Sequence, residues 1–389
     1  MRPLLALASV IAIIFAWAYG DARLGGRVRT FYDKRERWMF PVVFLSFFGV
    51  FAVLTSFLDV AKLELGFLVG YNALLAMGLN VVVGYAGLLD LGYVAFFAVG
   101  AYTMAILSNA GPLQVPWDLN FWEILPIGIV IAMITGVILG GPTLRLRGDY
   151  LAIVTLGFGE IVRIVAQNLD SVTNGARGVT GIENISVFGK SLGLDPKPYY
   201  LLTLGFIAIA ALLVRSMNNS RVGRAWAAIR EDEVAAEAMG VPTLKYKLWA
   251  FAIGAAVAAV GGMVFAAKVT FIDPASFQLI ISIFILSAVV LGGLGSTAGV
   301  MVGAVLINVL PEMLRGLSKL GAVGDKLLDA RFGIFGLVLV VMMIFRPEGI
   351  VPSRRRAAEM RGGAEEAKGP LGGGLPAEPA PAGGDDGAA

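Results

Sequence analysis

Neither cysteine nor histidine occurs anywhere in this chain, and only 15% of its residues are charged. The two missing residue types remove disulfides, thiolate chemistry, Ser–His and Cys–His catalysis, and the zinc sites that depend on those ligands. They leave the redox compartment open, because a chain without cysteine suits either side of a membrane. The scarcity of charge is equally informative, since a soluble domain of ordinary composition carries about 25% charged residues. A phosphate-binding loop is also missing. "VFGKSL" (Val187–Leu192) ends in the required Gly-Lys-Ser, but Asn184 stands where the pattern needs glycine. The chain does not bind ATP through that motif.

Apolar residues fill the space that charge leaves. They make up 57% of the chain, and the mean hydropathy is +0.79. Runs of about twenty apolar residues, long enough to span a bilayer as helices, recur along most of the sequence. Candidate spans begin near Pro3, Trp38, Leu63, Leu91, Glu123, Asp149, Tyr199, Leu248, Phe277, Thr297 and Arg331. The expected fold is therefore all-α and polytopic, with about eleven transmembrane helices. The first run, "PLLALASVIAIIFAWAYG", reads as a retained helix, since Arg2 alone makes a weak basic flank and no small-x-small cleavage site follows. The fifty glycines (Gly 50) suit close helix contacts in lipid.

Basic residues in short loops set the orientation. Arg23, Arg27, Arg29, Lys34, Arg35 and Arg37 mark the loop Asp21–Arg37 as cytoplasmic. Arg215, Arg221, Arg224, Arg230, Lys245 and Lys247 do the same for Arg215–Lys247, and Arg346, Arg354, Arg355, Arg356, Arg361 and Lys368 for the C-terminal part. Asn109–Trp122 has no basic residue and Asp170–Pro198 only Arg177, Lys190 and Lys197, so both face outward. Arg315, Lys319 and Lys326 fit less well, because they fall on the expected outer side. Three divisions follow: helices and a basic loop over 1–62, a membrane core over 63–351 holding the loop 215–247, and a tail over 352–389. The Gly, Pro and Ala bias of that tail predicts disorder in the cytoplasm.

Two glycine-rich stretches, "GYAGLLDLGYVAFFAVGAY" (Gly84–Tyr102) and "GGLGSTAGVMVGA" (Gly292–Ala304), look alike. They read either as an internal duplication, common in transporters, or as two ordinary tight turns. Asp90 in the first is a helix cap or a gate element. Glu160 and Arg163, three residues apart, share a helix face. They form either a self-neutralising pair or part of a solute route, since ionisable groups at depth turn toward cavities. The long outer segment Ser171–Tyr200 is a docking surface or a lid.

The cytoplasmic loop holds "EDEVAAEAMGVP" (Glu231–Pro242), an acidic, helix-forming stretch. Asp232 is the expected N-cap, Glu233 suits the positive helix end, and Ala235, Ala236, Glu237, Ala238 and Met239 favour helix. Gly240 and Pro242 stop it. About two turns result, near 11 Å at 1.5 Å per residue, far too short to span a membrane. Its apolar residues need a cover.

Four segments in order resemble the permeases of branched-chain amino-acid ABC importers, the LivM type. They are "GYAGLLDLGYVAFFAVGAY", "LRLRGDYLAIVTLGFGEIVRI" (Leu144–Ile164), "SRVGRAWAAIREDEVAAEAMGVPTLKYKLWAF" (Ser220–Phe251) and "FRPEGI" (Phe345–Ile350). The resemblance spans roughly residues 63–351 and implies an ABC importer permease fold in the bacterial inner membrane. It also implies a second homologous permease subunit, two ABC ATPase subunits and an extracytoplasmic substrate-binding protein as partners. Membrane lipids surround the chain, and nucleic acid is not expected. ATP and Mg belong to the partner subunits, so this chain is a transport subunit, not an enzyme, with no cofactor, catalytic residue or metal site of its own. The short loop helix becomes a coupling helix, with Glu233, Ala236, Glu237 and Gly240 as its docking core. Asp90, Tyr93, Glu160 and Arg163 are candidate pathway or gate residues. Asp90 and Tyr93 depart from the family pattern, which has a small polar residue and a later histidine there.

Alternatives are an ion-coupled secondary transporter of a small polar solute and an ABC permease for urea or amides. An integral membrane enzyme would need a carboxylate or lysine constellation, and none is legible. The orientation is directly testable on this cysteine-free chain. Single cysteines at Asn218 and Asn174 should label from opposite membrane faces with an impermeant maleimide; labelling of both from outside would refute the topology.

Overall fold

The computed structural model describes residues 59–317, apart from 114, 118, 145, 147 and 188, together with scattered positions between 333 and 351. The expected spans near Pro3 and Trp38 and the tail lie outside the described residues, as does most of the span near Arg331. Helices dominate the described part. Helix α1 (Val60–Leu79) continues into a π-helical segment (Asn80–Tyr85), and α2 covers Val94–Leu107. Then come α3 (Phe121–Thr143), α4 (Asp149–Asn168), α5 (Pro196–Asn218), α6 (Arg221–Glu231) and α7 (Glu233–Ala238). The series closes with α8 (Thr243–Val269), α9 (Leu279–Gly292) and α10 (Thr297–Leu317). Among the described residues, five helices are long and apolar enough to cross a membrane: Val60–Tyr85, Phe121–Thr143, Pro196–Asn218, Thr243–Val269 and Pro274–Gly292.

Local chemistry explains several boundaries. Asn120 and Glu123 form a reciprocal capping box that starts α3, Glu123 accepting from the Asn120 N–H at 2.9 Å. Asp195 caps α5 through the Lys197 N–H at 3.0 Å, with Pro196 at the first helical position. Helix α2 differs from expectation. It begins at Val94 rather than near Leu91 and runs for 14 residues, about 21 Å at 1.5 Å per residue, short of the ~30 Å hydrocarbon core. Its first turn has no cap of its own. Instead the Val94 N–H donates to Ser282 Oγ of α9 at 2.9 Å, a buried bond across the fold.

Helix α8 is the centre of the bundle and packs against α1, α2 and α3. Its buried face is mostly Ala and Gly, from Ala250 through Gly254, Ala255, Ala258 and Ala259 to Gly262. Small side chains let backbones come together where lipid offers no hydrophobic drive for helix association. At Gly100 of α2 an added Cβ would lie 2.3 Å from the Ala259 carbonyl oxygen of α8. Bulk is concentrated elsewhere, in an aromatic group where Phe97 and Phe265 have ring centroids 5.3 Å apart and Phe277 lies 5.3 Å from Phe97.

The segment between α4 and α5 folds back on the bundle. Strand β1 (Val179–Thr180) pairs antiparallel with β4 (Phe271–Ile272), just beyond the end of α8. Strands β2 (Ser186–Val187) and β3 (Lys190–Ser191) form a small hairpin. Gly189-Lys190-Ser191 therefore lies in a hairpin, not ahead of a phosphate-binding helix. Tyr199 Oη donates to the Ala267 carbonyl at 3.0 Å, and Trp122 Nε1 to the Ser186 carbonyl at 2.8 Å.

The α2–α8 contact predicts a graded cost. Gly100→Val should lower the thermal stability of the purified protein by roughly 1–3 kcal/mol or more, because backbone cannot yield as a side chain can. Gly205→Val, where an added Cβ meets nothing within 4 Å, is the matched control inside a helix and should cost far less. Equal melting of the two variants would show that the helices do not meet here.

Candidate functional site

Two regions carry the residues of interest: the loop helices α6–α7 and the glycine-rich turn before α2. The α7 helix forms as its sequence dictates. Asp232 Oδ1 accepts from the Val234 and Ala235 N–H groups at 2.8 and 3.0 Å, which satisfies the first turn. Gly240 takes φ +81°, and the Val241 N–H closes on the Ala236 carbonyl at 3.0 Å.

The structure divides the four candidate docking residues. Ala236 is buried against the chain's own bundle, and Glu233 is half-buried. The Glu233 carboxylate pairs with Lys247 Nζ at 2.5 Å, and the Lys247 side chain, on the first turns of α8, is almost wholly enclosed. Glu237 and Gly240 face outward. So do Val234 (58% exposed) and Met239 (84%), beside exposed Ala235 and Ala238. One face of α7 thus anchors it, while the opposite face presents apolar side chains with one carboxylate.

Helix α6 is fastened as firmly. Buried Trp226 donates from Nε1 to the Tyr246 carbonyl at 2.8 Å. Arg230 Nη1 donates to the Gly84 carbonyl at 2.9 Å, at the end of the π-helical segment. An Arg230 contact therefore joins the loop helices to the glycine-rich turn. The second glycine-rich stretch meets the same place: the Gly295 N–H donates to Asn80 Oδ1 at 2.9 Å, and Tyr85 Oη and Thr297 Oγ1 are 3.1 Å apart.

From Tyr85 the chain climbs into the bundle. Tyr93 Oη donates to the Gly254 carbonyl at 2.9 Å. Gly254 lies eleven residues along α8 from Thr243, about 16 Å deep by helical rise. Tyr93 is fully buried, its hydroxyl committed to that carbonyl. Asp90 is buried also. Its Oδ1 accepts from the Gly92 N–H at 2.9 Å, while Oδ2 has no partner among the described residues. Thr155 of α4 fixes the turn from the side, its Oγ1 accepting from the Leu91 N–H at 3.1 Å.

Glu160 and Arg163 lie elsewhere, in the second half of α4. Arg163 Nε donates to both Glu160 oxygens at 3.0 Å, with both side chains partly exposed. The pair neutralises itself, and no hydrogen bond or ion pair links it to Asp90 among the described residues. Sequence reasoning missed Arg230, Lys247, Asn80 and Ser282. Lys247 had a signal, four residues into a helix and directly ahead of the apolar run from Leu248; the other three depend on contacts far apart in sequence.

The family described as "Branched-chain amino acid transport system / permease component" matches residues 63–346. Over 353 residues the chain is 37% identical to the "High-affinity branched-chain amino acid transport system permease protein LivM" of Escherichia coli, covering 85% of this chain and 78% of that one. It is 25% identical over 317 residues to a "Probable branched-chain amino acid transport permease protein LivM" of Methanocaldococcus jannaschii, covering 76% and 90%. It is also 27% identical over 293 residues to the permease protein LivH of Escherichia coli, covering 71% and 92%. No solved structure gives a significant match.

The buried ion pair gives a test of the α7 anchor. Glu233→Gln leaves the Lys247 ammonium enclosed without its counter-charge, which should cost about 3 kcal/mol locally. Amide exchange over 232–241 should then rise by about a hundredfold. Adding Lys247→Met should restore much of the protection. Unchanged exchange in the single variant would mean that the pair does not hold α7.

Proposed function

This chain belongs to the family of branched-chain amino acid transport system permease components, and from that premise we propose that it is the membrane subunit of an ATP-driven importer of branched-chain or related amino acids. It is a multi-pass protein of the inner membrane. Its partners in this reading are a second homologous permease, two ABC ATPase subunits and an extracytoplasmic substrate-binding protein. ATP and Mg are bound and used by the ATPase subunits. Residues 63–351 form the permease core, with the coupling loop at 215–247, and 352–389 serve as a cytoplasmic linker.

The observation that carries the reading is the two-faced α7 helix. A six-residue helix cannot stabilise itself in water, so its order comes from packing on one side. Its other side leaves Val234, Ala235, Ala238 and Met239 uncovered at the end of the bundle where the positive-inside rule places the cytoplasm. An apolar groove of an ATPase subunit would cover them, with Glu237 at the rim. Glu233 and Ala236 then act by holding α7 to the permease rather than by touching the partner. When ATP closes the ATPase pair, the push on α7 passes through Glu233–Lys247 to α8 and through Arg230–Gly84 to the turn that carries Asp90.

The two faces predict two phenotypes. Ala238→Arg, on the outer face, should insert normally yet bind the ATPase more than about a hundredfold more weakly, since burying an unpaired charge in an interface costs several kcal/mol. Ala236→Arg, on the inner face, should unseat α7 and raise its proteolysis. ATPase pull-down and ligand-stimulated hydrolysis in membranes distinguish them. Wild-type association and uptake with both Ala238→Arg and Met239→Arg would sink the coupling role.

A further inference from the structure

Beside the turn that precedes α2, a partly open cavity of about 10 Å³ is lined by α2, α3, α4 and α8. That volume holds about one water molecule. Its apolar walls include Phe96, Leu139 and Phe251, and its polar lining consists of Asp90, Thr143 and Thr155. The polar groups share one property. Thr143 donates its hydroxyl proton to the Leu139 carbonyl at 2.8 Å, and Thr155 donates to the Ala152 carbonyl at 3.1 Å. The Gly92 N–H is already used by Asp90 Oδ1. What remains toward the cavity is hydroxyl lone pairs and Oδ2 of Asp90, a residue 2% exposed whose Oδ2 has no geometric hydrogen-bond partner among the described residues. Thr155 Oγ1 accepts from the Leu91 N–H and lies within hydrogen-bond reach of the Asp90 carboxyl; apart from that hydroxyl, no free donor among the described residues faces the cavity.

Such a lining excludes an anion. A buried carboxylate without a counter-charge is costly, and ionisable groups at membrane depth are paired or face a functional cavity. We propose that the Asp90 chamber is a binding subsite for a water-sized monovalent cationic group, held by Asp90 Oδ2 with Thr143 and Thr155 as neutral acceptors. Two sources supply that chemistry: the ammonium head of the transported amino acid, or a sodium ion. The first rests on the permease reading given above, and the second does not. Neither Glu160 nor Arg163 takes part, because their charges cancel on another stretch of α4. Arg230 acts on the same turn from its other end, through Gly84, so the chamber is mechanically connected to the loop helices.

The experiment has two arms. In the first, uptake of L-leucine and of its deaminated acid of the same skeleton is measured in membranes that hold the whole importer. If the ammonium head enters the chamber, wild type prefers leucine, and Asp90→Asn reduces that preference by about tenfold or more, the worth of one charge-assisted hydrogen bond. In the second, the unfolding temperature of the purified full chain is compared in NaCl and choline chloride at equal ionic strength. If sodium is the ligand, NaCl raises it in wild type, and the rise disappears in Asp90→Asn. Thr143→Val guards against misfolding of the first variant, since the Thr143 hydroxyl bonds only its own helix; it should weaken whichever response wild type shows by several-fold. A wild type with neither response, or responses unchanged in both variants, would overturn the subsite and leave a water or a protonated carboxyl in its place. Failure of wild type to take up leucine would instead strike the substrate reading, while the sodium arm still judges the chamber.

Discussion

Backbone contact along α8 is the constraint from which the rest of the described structure follows. Lipid gives helices no hydrophobic reason to associate, so close van der Waals packing must supply it, and only small residues permit that approach. The Ala- and Gly-lined face of α8 brings α1, α2 and α3 against one rod. Each end of that rod then carries a lysine with a specific partner. Lys247 at one end holds Glu233 of α7. Lys268 at the other donates to Glu64 of α1 and to the Leu194 carbonyl, at 2.9 and 3.0 Å, tying in the segment before α5. A load applied to α7 is therefore applied to the core of the bundle.

A second connection runs beside the first. The π-helical segment after α1 is touched at Gly84 by Arg230 and at Asn80 by Gly295, so the loop helices and the second glycine-rich stretch both meet this one segment. Departures from α-helical geometry inside a long helix commonly accompany functional sites. Here the departure lies where three parts of the chain converge. It leads directly into the turn whose far end, at Asp90 and Tyr93, lies well inside the bundle.

These contacts change how the candidate residues are understood. Glu233 and Ala236 stand with the anchor, Glu237 and Gly240 with the open face, and the apolar neighbours Val234 and Met239 join the latter. Tyr93 is a strut between the turn and α8. Asp90 is the one candidate in the membrane part with an oxygen left over among the described residues. Family membership accounts for the overall plan, whereas the partnering of these side chains follows from the geometry of this chain.

The sequence by itself determined the membrane class, the helical fold, the α7 cap and stop, and the family. Those rest on local or composition-level physics: apolar runs long enough for a bilayer, an aspartate before a helix former, a glycine that tolerates positive φ, and four motifs in order. The tertiary structure alone decided the short start of α2 and the inward course of its preceding turn. It also decided which face of α7 is covered and how Asp90, Thr143 and Thr155 come together. The difference is physical. In a helix that is apolar on every side, periodicity no longer distinguishes the buried face from the lipid face, so neighbours cannot be read from spacing. Ser282 capping α2, or Arg230 reaching Gly84 across 146 positions, exists only once the small residues of the core have set which helices lie side by side.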